Sequence, residues 1–504
     1  MSEEIVQPHV EPKDAAAVIM LRNPEDPEVY WVKRSQQLKF MGGFHAYPGG
    51  QRDAADSELS VANCDDPNQA AMMVCAVREI FEETGILLAR GVENLRQEKL
   101  VELREEMESG LTKFNEIFER ENLSIDANLL LEAPRWVTPV PAPKRFDTRF
   151  FVAWVPNCVD GEQIASVIAG ELESGEWNRP VEALNKWRDG EVILASPVLS
   201  PLLEMEQGVE EFVERLHQFS HEGFERKCVE FRYGFKMIPL RTPTLPPATH
   251  TNCYLVGGNE IVIIDPGSPY PEEQKKLDDL LGKLMETGVR VREIIITHLH
   301  PDHILGVNHL VEKFEIPVAA HRLTSEEIAS EIKVDRFIED NEIIHLSGER
   351  EFRLRALWTP GHARGHLSFY EERTGTLLTG DCVVGIGTVV IAPPEGNMSD
   401  YLQSLQRYLE LPKLSALMPA HGPVLADARS KIEEYIEHRA AREKMILDVL
   451  SVEPKTIPEI VKIVYKGVPE SLHRLAGLSV QAHLEKLMNE EKVKRNDGQY
   501  SVVG

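Results

Sequence analysis

The chain has 504 residues, 42% of them hydrophobic, with Lys+Arg 55 against Asp+Glu 82 and a formal net charge of −27. That length predicts two to four domains at about 100–200 residues each, and so negative a charge argues against nonspecific nucleic-acid binding while leaving room for a local basic groove. A cytoplasmic, reducing setting with no membrane partner is expected: no apolar run approaches the ~20 residues that cross a bilayer, the acidic start MSEEIVQPHVEPKDAAAV lacks a secretory pattern, and the cysteines at 64, 75, 158, 228, 253 and 382 form no C-x-x-C pair.

The first strand is expected at AAAVIML, residues 15–21, turning through NPEDPE into a partner at VYWVKR, 29–34. A glycine-rich loop occupies 41–50, and residues 68–84 read as a helix stopped by Gly85. Residues 93–132 are charged and helical in pattern, and RFFVAWV, 149–155, is a strand. The stretch 195–219 opens with proline turns and continues as an amphipathic helix. FRYGFKMIPLRTPTLPP, with its cluster of prolines, reads as a linker or as the first loop of a second domain. Beyond it short apolar strands alternate with helices: NCYLVGG, EIVIIDPG, a helix over 271–288, then REIIITHLHPDH, continuing to AHGPVLA. A long helix is predicted over 428–450, followed by the helices IPEIVKIVY and SVQAHLEKLMNEEKV and a short strand YSVV in a small wing.

The segment Thr297-His298-Leu299-His300-Pro301-Asp302-His303 follows the predicted strand EIIIT. A strand end opening into a loop can aim alternate side chains at one point. Imidazole nitrogens there suit Zn, Fe or Mn, and a carboxylate hardens the site. Downstream, His362 in TPGHARGH, Asp381 in LLTGDCVV and His421 in LMPAHGP each follow a short apolar strand and a turn. With these residues in this order, 235–430 resembles the metallo-β-lactamase superfamily and implies an αβ/βα sandwich. The resemblance implies that His298, His300 and His362 hold one metal, that Asp302, His303 and His421 hold the other, and that Asp381 bridges them. It gives Asp302 a further role as proton acceptor and Asp265, in VIIDPGS, a role supporting the ligands. Two such cations would activate a water and clamp the oxygen that gains charge. His366, four residues after His362, is expected either to line the substrate site or to brace the loop, and His309 and His321 read as ordinary helix and loop histidines. The segment GDCVVGIGTVVIAPPEGNMSDYLQSLQRYLEL and the helical tail resemble a β-lactamase-like group that includes a single-strand endoribonuclease, with a winged-helix tail. Lys492, Lys494 and Arg495 at the wing are a candidate phosphate contact or a solvated cluster.

In Arg78-Glu79-Ile80-Phe81-Glu82-Glu83-Thr84-Gly85-Ile86, Glu79, Glu82 and Glu83 fall at i, i+3 and i+4, on one helical face. Such a stripe is either a solvated acidic face or a seat for Mg or Mn with bound waters beside a diphosphate. R-E-I-F-E-E-T-G-I resembles the core of the Nudix box, and Pro48-Gly49-Gly50 its glycine start. The usual box sets the glycine 14 residues before the arginine and a glutamate eight before it. Here Gly50 and Arg78 are 28 apart and Ala70 stands eight before Arg78, which leaves catalysis open. The flanks KRSQQLKFMGGFHAYPGG and RFDTRFFVAWVP resemble coenzyme A diphosphatases of peroxisomal type, implying an α/β/α sandwich with Arg78 orienting the helix and Glu82 in catalysis. Lys33, Arg34 and Arg145 are candidates to meet phosphates, and Glu173 or Glu176 to supply an extra acid.

The expected architecture, α/β and α+β, is a Nudix domain over 1–225, a metallo-β-lactamase domain over 226–430 and a winged-helix-like domain over 431–504. The expected function is a two-headed hydrolase with two Zn (or Fe or Mn) at the C-terminal site and Mg or Mn at the other. One head would cut an ester, thioester or phosphodiester, and the other a small diphosphate-linked substrate such as a CoA or nucleotide derivative. The alternative is a nuclease acting on single-stranded RNA, with the Nudix domain as a non-catalytic binding module.

Overall fold

The computed structural model describes residues 11–38, 41–138, 144–221 and 228–503. The start of the chain, residues 39–40 of the glycine-loop flank and the boundary expected at 225/226 lie outside the described residues. The chain divides into two compact units, Met1–Arg226 and Lys227–Gly504.

The first unit is built on a seven-stranded sheet. Lys13–Arg22 runs parallel to Phe146–Trp154 at its centre and antiparallel to Glu28–Arg34. Its apolar run, buried from Ala15 to Leu21, gives a strand covered on both faces. The helix Pro67–Thr84 packs on this sheet, capped at its start by Asp66 and ended at Gly85. Its Met72, Met73, Val74, Cys75, Ala76, Val77, Ile80 and Phe81 enter the core, so Glu79, Glu82 and Glu83 lie off the buried stripe. The expected helical stretch 93–132 is instead two short helices, Gln97–Glu108 and Phe114–Arg120, joined by turns. The apolar residues that anchor them, Leu100, Leu103, Phe114, Ile117 and Phe118, all join the one core of this unit. The proline turns expected at the start of 195–219 are instead a helix, Ser196–Glu206, and the amphipathic helix expected after them is Phe212–His221. Gly208 at φ 126 leaves helical space between them.

The second unit opens with a correction. The stretch FRYGFKMIPLRTPTLPP is no linker: its first part lies in the strands Val229–Arg232 and Phe235–Arg241, at the edge of a seven-stranded sheet, and Pro243, Pro246 and Pro247 stand in the loop that follows, the first-loop alternative. FKMIPLR buries Phe235, Met237, Ile238 and Leu240, and Pro239 lies past the end of the edge strand, whose register stops at Met237. The sheet continues through His250–Gly257, Glu260–Ile264, Arg290–Ile296, Val318–Ala320 and Arg336–Phe337. A five-stranded sheet follows, in the order Ile343–Leu346, Phe352–Trp358, Leu367–Glu371, Thr376–Gly380 and Ala416–Pro419. The helices Pro271–Glu286 and Val307–Phe314 pack into the core of the first of these sheets, and Met398–Leu409 and Ala428–Leu450 into that of the second, which makes the expected αβ/βα sandwich. Ala428–Leu450 runs across residue 430 and supplies Ile446 and Leu450 to a small separate core. There they meet Ile457–Val464, His473–Asn489 and the two-stranded wing Val493–Asn496 and Gln499–Val502, a winged-helix arrangement.

Candidate active sites

Four strands of the second unit end on the ligand motif. Arg290–Ile296 leads to His298 and His300, Phe352–Trp358 to His362, Thr376–Gly380 to Asp381 and Ala416–Pro419 to His421. Asp302 and His303 lie on the short helix Pro301–Ile304. Ligand atoms of His298, His300, His362 and Asp381 lie within 4.8 Å of one another, and those of Asp302, His303 and His421 form a second such group. In the first, His300 Nδ1 is 3.0 Å from His298 Nε2 and 2.9 Å from His362 Nε2. In the second, His421 Nε2 is 3.3 Å and His303 Nε2 3.8 Å from Asp302 Oδ2. Asp381 faces both groups. Its Oδ2 is 3.6 Å from His362 Nε2, while its Oδ1 is 3.2 Å from His421 Nε2 and 3.6 Å from His303 Nε2.

The outer nitrogens of these rings are engaged elsewhere. His362 Nδ1 donates to the Val390 carbonyl at 2.9 Å, His421 Nδ1 to the His250 carbonyl at 2.9 Å and His303 Nδ1 to Asp265 Oδ2 at 2.7 Å. The Thr297 hydroxyl donates to Asp265 at 2.7 Å and so accepts from His298 Nδ1 at 2.9 Å. Each Nε2 thereby faces inward, where a cation would take the place of a proton. Asp265, 2% exposed, also accepts the Thr297 N–H at 2.8 Å. Buried His303 Nε2 and Asp381 Oδ1 have no hydrogen-bond partner among the described residues. A ring nitrogen and a carboxylate oxygen left bare 3.6 Å apart fit a cation between them.

Charge follows the same division. Burial drives His298 well below its ordinary range, aided by His303 and His300, and pushes His362 down to about 4, with His300 adding to it. Burial also opposes charge on His303 and His421, yet the Asp265, Asp302 and Asp381 carboxylates outweigh it and hold His303 well above, while Asp381 and Asp302 raise His421 to about 10. Burial works against ionised Asp302 and Asp381, and their histidine neighbours overcome it and keep both low.

His366 is a loop brace. Fully buried, it accepts the Asp381 N–H at Nε2, 3.1 Å away, and its Nδ1 meets Thr359 Oγ1 at 2.9 Å. His309 pairs with Asp278 at 3.0 Å, and His321 caps Arg322–Ile328 and stacks on Trp358. Glu395, 3.6 Å from His300 Nε2, is a site neighbour that carries no motif of its own. At the wing, Lys492 pairs with Glu490 at 2.7 Å and Arg495 lies 5.6 Å from the Tyr500 ring.

In the first unit Arg78 gathers the acidic helix. Its Nη1 reaches Glu79 at 2.9 Å and Glu82 at 3.1 Å, and its Nε and Nη2 grip both oxygens of Asp56 at 2.7 and 3.0 Å. Glu83 accepts the Gly49 N–H at 2.8 Å. Gly50 allows the close approach, since a Cβ there would lie 2.3 Å from Glu79 Oε2. The three glutamates do not form a third cluster of ligand atoms within 4.8 Å among the described residues; a hard cation with its waters can span such a gap. Burial pushes Glu79 up to about 7 and Glu83 up to about 8, and raises Glu82.

Asp56 corrects the expectation that the box lacks its first acid. Counted from Arg78 that acid falls on Ala70, but counted six on from Gly50 it is Asp56. The extra residues therefore lie between Asp56 and Arg78, and the arginine has its carboxylate. Of the other candidates, Lys33 pairs with Glu173 at 2.7 Å, Glu176 accepts from Trp31 at 3.1 Å and pairs with Lys186 at 2.8 Å, and buried Arg145 donates to the Thr138 carbonyl at 2.9 Å. Half-buried Arg34 and exposed Glu171 instead act on the charge of Glu83, the first lowering its pKa and the second raising it.

This fold with its paired metal clusters defines a metal-dependent hydrolase. The family model for the metallo-beta-lactamase superfamily matches residues 246–421, that for the beta-lactamase associated winged helix domain 456–500, and that for the NUDT19 Nudix domain 58–205. Two proteins named beta-lactamase-like protein 2 homolog are similar to this chain. That of Drosophila melanogaster is 33% identical over 259 residues, spanning 48% of this chain and 84% of that protein; that of Caenorhabditis elegans is 31% identical over 252 residues, spanning 48% and 80%. An Aspergillus chevalieri protein named atrochrysone carboxyl ACP thioesterase is 30% identical over 254 residues, spanning 48% of this chain and 77% of that protein. The chain belongs to the metallo-β-lactamase superfamily, with a NUDT19-type Nudix domain ahead of the metal domain and a winged helix behind it.

Proposed function

We propose that the chain is a two-headed hydrolase whose second unit cuts a thioester or related ester and whose first unit cuts the diphosphate of a CoA-type substrate. The observation that carries this is the pair of ligand clusters with one carboxylate, Asp381, turned to both. On this reading His298, His300 and His362 hold one cation, Asp302, His303 and His421 the other, and Asp381 joins them; zinc, iron and manganese all suit the donors. Bound cations supply an activated water at neutral pH and positive charge for the oxygen that becomes anionic. The chain does the rest: hydrogen bonds at the outer nitrogens keep the rings aimed with Nε2 toward the cation, and the Asp302 carboxylate takes the proton of the attacking water.

In the first unit Glu79, Glu82 and Glu83 would hold magnesium or manganese, a cation that shields a diphosphate and polarises it for attack. Arg78, fixed by Asp56, keeps Glu79 and Glu82 on one side of the helix, and Glu82, the most open of the three, receives the proton of the attacking water. A thioesterase among the relatives supports the ester reading, and a CoA thioester offers a bond to each head. The domains proposed are 1–225, 226–430 and 431–504.

The test is to give the full chain, with zinc and magnesium, an acyl-CoA and to follow free thiol and adenosine bisphosphate separately. His298→Ala should stop thiol release alone and Glu82→Gln nucleotide release alone. Cleavage of single-stranded RNA with no thiol release would replace this reading with that of an endoribonuclease.

A further inference from the structure

The helix Ala428–Leu450 reaches back toward the metal centre with two side chains one turn apart. Arg439, 2% exposed, donates from Nη2 to the Val389 carbonyl at 2.6 Å and to Thr388 Oγ1 at 3.4 Å. Its guanidinium lies 5.4 Å from the centre of the Tyr401 ring, whose hydroxyl donates to the Cys382 carbonyl at 2.9 Å. The Tyr435 hydroxyl accepts the Val384 N–H at 3.3 Å and donates to the Val384 carbonyl at 3.0 Å. Both grips fall on residues 382–391, a segment that belongs to neither helix nor strand.

That segment touches three of the ligand positions through its backbone. It starts beside Asp381, the Gly385 N–H donates to the His421 carbonyl at 2.7 Å, and the Val390 carbonyl takes the Nδ1–H of His362. An irregular loop has no ladder of its own, so its course is set by whatever its main-chain groups bond to. Here the helix supplies a bond near each end, to Val384 and to Val389, beside those that Thr379 and Tyr401 make to Val383 and Cys382. No carboxylate pairs with Arg439 among the described residues; its buried guanidinium bonds through Nη2 to one main-chain carbonyl and one hydroxyl, and its Nε has no hydrogen-bond partner among them. A side chain serving only to pack would be apolar at this position.

We propose that Tyr435 and Arg439 are positioning residues of the metal centre, holding the two ends of residues 382–391 and through them the aim of His362 and the seat of Asp381. This rests on the reading of those residues as ligands. The winged helix is mounted on the same helix: Arg442 Nη1 donates to the Val464 carbonyl at 2.6 Å and lies 4.4 Å from the Tyr465 ring, and Glu443 pairs with Lys486 at 2.8 Å.

The experiment is zinc competition against a chromophoric chelator with the full chain, alongside thermal melts. Arg439→Met should weaken zinc by about 10-fold or more, the usual cost of losing a group that orients a ligand. Tyr435→Phe should give a smaller loss of the same kind, and Arg439→Lys, which restores one donor, should recover part of it. Arg442→Met cuts the grip on the winged helix alone and should lower the melt while leaving zinc affinity unchanged. The inference is overturned if Arg439→Met and Tyr435→Phe bind zinc as tightly as the parent, or if Arg442→Met weakens it equally. Should Arg439→Met not fold, Tyr435→Phe, which loses one hydroxyl, decides alone. His362→Ala separates the two levels: if it too keeps full zinc, the ligand reading has failed, and if it loses zinc where the helix variants do not, only the positioning role has.

Discussion

Replacing Asp56 with alanine tests where the Nudix box is interrupted. The Asp56 side chain is 1% exposed and that of Arg78 13%, and they meet through two hydrogen bonds. Breaking a buried pair costs about 3–5 kcal/mol, because the remaining charge is left without a partner. Arg78 keeps Glu79 and Glu82, so the loss should fall at the lower end, ~3 kcal/mol. For a unit of 226 residues, at about 2–4 °C per kcal/mol, that lowers its melting transition by about 6–12 °C. Calorimetry of the full chain should show one transition move and that of the second unit stay. Diphosphate cleavage should fall up to ~100-fold, since a freed Arg78 lets the glutamates drift from their working positions. Ala70→Glu, which restores an acid eight residues before Arg78, should not rescue the variant. An unmoved transition with full diphosphate cleavage in Asp56→Ala, or rescue by Ala70→Glu, would refute the assignment.

Three further outcomes are expected. Glu79 and Glu83 have folded pKa values of about 7 and about 8 against an ordinary 4.5, so metal-free protein should hold their contribution below about pH 4.5 and lose stability as pH rises to about 8; melts across that range check it, and added magnesium should restore stability at the alkaline end. Asp265→Asn removes the charge that anchors His303 and Thr297 and should weaken zinc about 10–100-fold in chelator competition; an unchanged affinity would show that the anchor is dispensable. Chelation should abolish ester cleavage while leaving diphosphate cleavage intact in magnesium, because the sites share no ligand; loss of both activities in folded protein would require a single composite site.

The residues that the fold gathers as candidate ligands were legible because ligand chemistry is written in residue type: His298, His300, His362, Asp381 and His421 follow apolar strands, and Asp302 and His303 ride the short helix after the first of them. The acidic stripe of Pro67–Thr84 was legible from helical spacing alone. Asp56 was within reach, but only by counting from Gly50, since an insertion changes spacing on one side of itself and not the other. The strands Val229–Arg232 and Phe235–Arg241 were hidden by prolines, which mark loops unless the strand lies at a sheet edge. Tyr435 and Arg439 left no local trace. Each serves backbone groups about 50 residues earlier, and a hydrogen bond to a carbonyl leaves no signature in the residue that offers it.

The outward-facing ring nitrogens carry one last consequence, for which element the protein ends up carrying. Three histidines are tethered to main-chain carbonyls or to Asp265 and a fourth to Thr297. A stiff cup of imidazole and carboxylate ranks divalent ions by their own affinities and does little to choose among neighbours in the series. Its contents should therefore track the supply of the compartment or growth medium, and preparations grown on zinc, iron or manganese should emerge as different enzymes from one polypeptide.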